Sequence, residues 1–193
     1  MRPLSALLLP ILFLVAACSE PPQKEIDRAQ GGIDAARAAG AELYAKEAFA
    51  AATAALQQSH DAVAQRDYRL ALTRALDAND RAQEAARGAA DGKARARSDA
   101  ERAINAAASP MLRLKAKISS DSDRVGAKDA AAATQTVHDA EAALQKARAA
   151  LSVGDYVSVQ ELMKGLDVTI NARIQAFDAA IAARPAKRVR RVR

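Results

Sequence analysis

Tryptophan is absent from this chain of 193 residues, aromatic side chains make up 3%, and there are two histidines and a single cysteine. Each shortage removes a class of protein. One thiol cannot close an intrachain disulfide, so the fold must hold by packing alone. The two histidines, His60 and His138, have no ligand-like partner at helical spacing and no His-Glu-x-x-His motif, so no metal and no cofactor are expected. Glycine is scarce and forms no phosphate-cradling loop, because Gly31-Gly32 lies inside a predicted helix with no strand before it. Ser59-His60-Asp61 contains the residue types of a hydrolase triad, but neighbours on a helix point about 100° apart and cannot relay a proton. No catalytic residues are expected, and the protein reads as a non-enzyme.

What is abundant is alanine, 52 residues by count. With Arg, Asp, Glu and Gln around it, this composition favours helix and disfavours strand. The expected class is all-α without a β-sheet: elongated antiparallel helical hairpins, two related helix-turn-helix units joined by a long, kinked helix. Small side chains bury little area each, so the helices must approach closely.

The one cysteine is well placed. Arg2 and the apolar run Leu4 to Leu14 precede Val15-Ala16-Ala17-Cys18, the pattern of a lipoprotein signal. The run is too short for a permanent span, which needs about 20 residues. Residues 1–17 read as a signal peptide cut after Ala17, Cys18 as the lipidated first residue, and 18–23, with Pro21 and Pro22, as a tether. Ser19 rather than Asp after the cysteine resembles the outer-membrane sorting pattern, so the expected location is the periplasmic face of the outer membrane, held through the N-terminal lipid.

From there the apolar period predicts a helix over about 24–39, facing inward with Ile26, Ala29, Ile33 and Ala36 and stopped at Gly40. A second helix over 46–65 places Phe49, Leu56 and Val63 seven residues apart. Asp67 caps a third from Tyr68, with Leu72, Ala75, Leu76, Asn79, Ala82 and Ala86 as its inner face. Ser109-Pro110 predicts a break or kink near Ala108, since serine caps and proline suits a first turn. The first domain is expected over 24–118, a linker over 119–128, and a second hairpin over 129–184. In the latter, Val159, Met163, Leu166, Ile170, Ile174, Phe177 and Ile181 line one final helix.

The second hairpin repeats the first at an offset of 88 residues. Phe49, Leu56 and Val63 fall on Val137, Leu144 and Leu151, and the turn residues Asp67 and Tyr68 fall on Asp155 and Tyr156. The run Ala35-Ala36-Arg37-Ala38-Ala39-Gly40-Ala41-Glu42-Leu43-Tyr44-Ala45, then Ala54-Ala55-Leu56 and Arg66-Asp67-Tyr68, resembles the alanine-rich bacterial lipoproteins grouped as domain of unknown function 4398. The family's turn is usually followed by Ala-Pro, where this chain has Ala45-Lys46. The resemblance covers about Lys24 to Ala107 and implies a periplasmic helical domain, with no activity or site residues to carry over.

Charge is segregated. Residues 19–86 and 118–183 each carry a net −3, whereas 87–117 carries +5 and 184–193 carries +6. Lys93, Arg95, Arg97 and Arg102, then Arg113 and Lys117, recur at helical spacings and read as a solvated face. Pro185 ends the last helix, and 185–193 reads as a disordered basic tail. Arg184, Lys187, Arg188, Arg190, Arg191 and Arg193 can contact an anionic envelope polymer or surface: lipopolysaccharide, anionic phospholipid or peptidoglycan. Nucleic acid is not expected in that compartment. The expected function is a lipid-anchored helical scaffold or adaptor, the alternative a substrate-binding or chaperone-like accessory subunit of an envelope assembly. Alanine heptads pair equally well within or between chains, so the oligomeric state stays open.

Overall fold

A computed structural model of the chain describes residues 20–183, and no strand occurs among them. The all-α class is as expected. In order come α1 (Gln23–Ala38), α2 (Ala41–Tyr44), α3 (Lys46–Ala64), α4 (Tyr68–Asp121), a single 3₁₀ turn (Ser122–Arg124), α5 (Ala127–Ser152), α6 (Tyr156–Met163) and α7 (Leu166–Ala183). The chain divides into two compact units, Met1–Ala89 and Ala90–Arg193, and the division falls inside α4 rather than at a linker.

In the first unit α1 buries Ile26, Ala29, Ile33 and Ala36, the face its period predicts. Gly40 ends it in the left-handed region, φ 88°, and donates its N–H to the Arg37 carbonyl at 2.9 Å. The one-turn helix α2 was not foreseen. Arg37 ties this corner together: it pairs with Asp34 at 2.8 Å and Glu42 at 3.0 Å, and its guanidinium lies 5.4 Å from the Phe49 ring centroid.

The inner face of α4 in this unit is partly the expected one: Ala75 and Ala82 are buried, Asn79 and Ala86 half-buried, but the two leucines are not part of it. Ala71, Ala75, Ala78, Ala82, Ala85 and Ala89 are buried, whereas Leu72 and Leu76 lie outside, 38% and 46% exposed. Backbone proximity is the reason. A Cβ built on Gly32 of α1 would stand 3.2 Å from the Ala82 Cβ, and one on Gly88 would stand 3.3 Å from the Ala45 Cβ. At such separations a leucine does not fit in the seam, and helix rotation places alanine there. Ile26, Ile33 and Leu56 fill the remaining space with Ala29, Ala52, Ala55, Ala75, Ala78 and Ala82; Phe49 and Val63 pack against its rim.

The second unit carries the larger side chains. Residues 90–121 of α4 contribute Ala100, Ile104, Ala107, Met111 and Leu114, and α5 contributes Ala133, Val137, Ala140, Leu144 and Ala147, both at alternating spacings of four and three. Val159, Ile170 and Phe177 complete the core. Cross-links on its surface join α4 to α5 through Lys115 and Glu141 at 2.7 Å, α4 to α7 through Lys117 and Asp178 at 2.6 Å, and α5 to α7 through Arg173 and Thr136 at 3.2 Å.

Three boundaries depart from expectation. Of the break or kink expected near Ala108, no break occurs: Pro110 lies inside α4, buried, and the helix continues to Asp121. Proline in a helix interior costs about 3 kcal/mol, and here the apolar seam on both sides, Ala107 before and Met111 and Leu114 after, offsets it. The expected linker 119–128 therefore shrinks to the residues between Asp121 and Ala127. The final helix is two helices, because Gly165 takes a left-handed φ of 71° between α6 and α7. Val159, Met163, Ile170 and Phe177 of its predicted stripe are buried; Leu166, Ile174 and Ile181 are half-buried.

The 88-residue offset extends to the hydrogen bonds of the turns. The Asp67 N–H donates to the Ala62 carbonyl at 2.9 Å and Arg66 to Val63 at 2.9 Å; Asp155 donates to Ala150 at 3.0 Å and Gly154 to Leu151 at 3.1 Å. Each pair is a Schellman stop for the preceding helix. The left-handed position is Gly154, φ 78°, in one copy and Arg66, φ 60°, in the other. A non-glycine residue there costs about 1 kcal/mol. Arg66→Gly is accordingly expected to raise stability by about 1 kcal/mol and Gly154→Ala to lower it by about as much, read from urea unfolding. The same measurement on α1 separates propensity from packing. Gly31→Ala, with open space at its Cβ, should stabilise by about 0.5–1 kcal/mol. Gly32→Ala should be the less stable of the two, because the Ala82 methyl opposes it.

Candidate functional site

Of the residues singled out in the sequence, Ala17, Cys18 and the basic residues Arg184, Lys187, Arg188, Arg190, Arg191 and Arg193 lie outside the described residues. The turn residues lie within them. The Asp67 carboxylate accepts the Leu70 N–H at 2.9 Å and the Asp155 carboxylate accepts the Ser158 N–H at 3.1 Å, so both are helix N-caps. The Tyr156 ring is buried and that of Tyr68 half-buried, which makes them packing residues at their turns.

Ser59, His60 and Asp61 diverge as their helical spacing requires. Ser59 is fully buried and donates its hydroxyl to the Ala71 carbonyl at 2.7 Å, tying α3 to α4. His60 is exposed, and the Asp61 carboxylate accepts from the Gln57 amide at 3.0 Å. Among the described residues no group of three or more His, Cys, Asp or Glu side chains is placed to hold a metal ion.

One concavity of the second unit was not visible in the sequence. It is a cleft of about 510 Å³, lined by Lys93, Arg97 and Glu101 of α4, Arg148, Leu151 and Ser152 of α5, and the turn residues Val153, Gly154 and Tyr156. Arg97 pairs with Glu101 at 2.9 Å, and that hydrogen bond raises its already high pKa further, so the guanidinium is always charged. Three cations against one carboxylate make the cleft a positive recess of small-ligand size. Lys93 and Arg97 belong to the connecting helix read as a solvated face. Arg148 comes from a distant segment, and only folding brings it beside them. A second hollow of about 390 Å³, between α4 and α5, includes Ile118, Val137 and His138 with the paired Lys115 and Glu141.

No known protein family, no curated protein and no solved structure matches the chain.

The turn beside the cleft has a defined acid response. Hydrogen bonding to Ser158 holds the Asp155 carboxyl below the usual carboxylate range. A depressed folded-state pKa contributes stability that is fully present above the unfolded value near 4 and is lost as pH falls through the lower folded value. Asp155→Asn keeps a capping side chain but does not titrate. The difference in stability between wild type and Asp155→Asn is expected to narrow as pH falls below about 4, checked by unfolding at a series of acid pH values.

Proposed function

We propose that this chain is a lipid-anchored periplasmic lipoprotein of the outer membrane, acting as a non-catalytic helical scaffold or adaptor. The observation that carries the reading is the placement of Cys18 directly after Val15-Ala16-Ala17, at the end of the N-terminal apolar run. The position of α1 agrees with it. This helix starts at Gln23, five residues after the cysteine, so the first helical unit follows the anchor with only a short tether. Among the described residues no helix is long and apolar enough to cross a membrane; in this proposal the attachment is the lipid on Cys18. Two or more acyl chains, at about 0.8 kcal/mol per buried methylene, hold a protein on a bilayer essentially permanently.

The basic tail adds an electrostatic contact with lipopolysaccharide phosphates or peptidoglycan carboxylates. At about 1 kcal/mol for each cation near an anionic surface, six cations give a strong, salt-sensitive attraction. The cleft around Lys93, Arg97 and Arg148 favours a second reading, an accessory subunit that binds an anionic substrate within an envelope assembly.

The anchor is tested by fractionation and mass. The wild-type chain is expected in the outer-membrane fraction with the mass of added acyl groups, and Cys18→Ser in the soluble periplasmic fraction. A Cys18→Ser chain that stays with membranes, unmodified in mass, would overturn the proposal. Removal of residues 184–193 is expected to weaken retention on immobilised lipopolysaccharide or peptidoglycan at least about tenfold at low salt. Unchanged retention would remove the electrostatic contact from the function.

A further inference from the structure

Within the first unit the direction of each helix is fixed by its contacts. Ile26 and Ile33 of α1 share a cluster with Ala75, Ala78 and Ala82, and Ala36 shares the next one with Ala85 and Ala89, so α1 and α4 run parallel. Ser59 reaches Ala71, and Ala45 meets Gly88, so α3 runs antiparallel to both. Nine residues separate Gly32 from Gln23 on α1. The same nine along α4, counted from Asn79 and Ala82 toward its start, end at Leu70 and Thr73. The start of α1 and the α3–α4 turn therefore share one end of the unit, and α2 lies at the other.

That end is not an ordinary polar tip. Leu70 and Leu72, in the first turns of α4, are 40% and 38% exposed, and helical side chains lean toward the helix start, which here is the turn itself. Half-buried Tyr68 lies beside them. The charges around the tip nearly cancel: Lys24, Arg28, Arg66 and Arg69 face Glu20, Glu25, Asp27, Asp61 and Asp67. Among the described residues, none of the four cations forms an ion pair.

We infer that the α3–α4 turn of the first unit, through Leu70 and Leu72, rests in the interfacial layer of the bilayer that holds the lipid. The inference depends on acylation of Cys18. Its warrant is the length of chain between anchor and fold: five residues reach at most about 18 Å, so the start of α1 cannot stand far from the headgroups. The turn shares that end of the unit and is presented to the same surface. Two exposed leucines and an amphipathic tyrosine suit the boundary between headgroup and acyl chain. Because the local charges nearly balance, the contact is apolar rather than electrostatic. It needs no anionic lipid and resists salt.

Acylation consumes the thiol of Cys18, so a cysteine introduced elsewhere is the only free one. Leu70→Cys, Leu72→Cys and, at the far end, Leu43→Cys, where the leucine is 48% exposed, are each labelled with an environment-sensitive NBD fluorophore. The full-length acylated protein is then reconstituted into vesicles of zwitterionic phosphatidylcholine and phosphatidylethanolamine. The expected result is a blue-shifted emission at positions 70 and 72, lost on adding acyl-chain spin-labelled lipid and unchanged by a tenfold rise in salt, with a water-like emission at 43. Water-like emission at both 70 and 72 in a chain whose mass shows acylation overturns the contact alone. Equal shifts at all three positions overturn it as a specific orientation. A shift that appears only when envelope proteins are present overturns it in favour of a protein partner. A mature chain without acyl mass overturns the anchoring and this contact together.

Discussion

Close approach of helix backbones is the constraint on which the first unit depends. Gly32 against Ala82 and Gly88 against Ala45 leave room for a methyl group at most, and the alanine seam of α4 follows from that distance. Each buried methyl contributes only about 0.8 kcal/mol, so the seam compensates by number and by the dispersion contacts that short separations allow. Ser59 fits the same logic. Its hydroxyl is small enough for the seam and donates to the Ala71 carbonyl, and among the described residues no buried side-chain nitrogen or oxygen lacks a partner.

Where the sequence was legible, local chemistry and packing agreed. The inward face of α1 could be read because Ile26 and Ile33 stand in phase with Ala29 and Ala36. Asp67 and Asp155 were recognisable as caps because an aspartate at the start of an apolar period has a specific backbone partner. On α4 the expected Ala75 and Ala82 are buried and the expected Leu72 and Leu76 are not, for a physical reason: hydrophobicity ranks leucine above alanine, while the seam selects for size. Pro110 shows the same conflict between levels, since local propensity predicts a break and the surrounding apolar seam carries the helix through it. Gly165 gave no warning because it sits singly within an unbroken apolar period.

The candidate sites divide along the same line. The cysteine and the basic tail are patterns of sequence alone and lie outside the described residues. The cleft was not legible in the sequence, because Lys93 and Arg97 meet Arg148 only through the packing of α4 against α5, and charged residues at helical spacing look like any solvated face. Of its lining, Gly154 and Tyr156 belong to a turn that was foreseeable, the Gly154-Asp155-Tyr156 turn that repeats Arg66-Asp67-Tyr68.

The unequal filling of the two cores bears on how the molecule responds to heat. The first unit closes on alanines with Ile26, Ile33 and Leu56, whereas the second encloses Phe177, Leu114, Leu144 and Ile170. Heat capacity of unfolding grows with the apolar area exposed, so the alanine-based unit has the smaller increment per residue and the flatter dependence of free energy on temperature. Unfolded as separate steps, the two units contribute unequal heat-capacity increments, the alanine-based one the smaller.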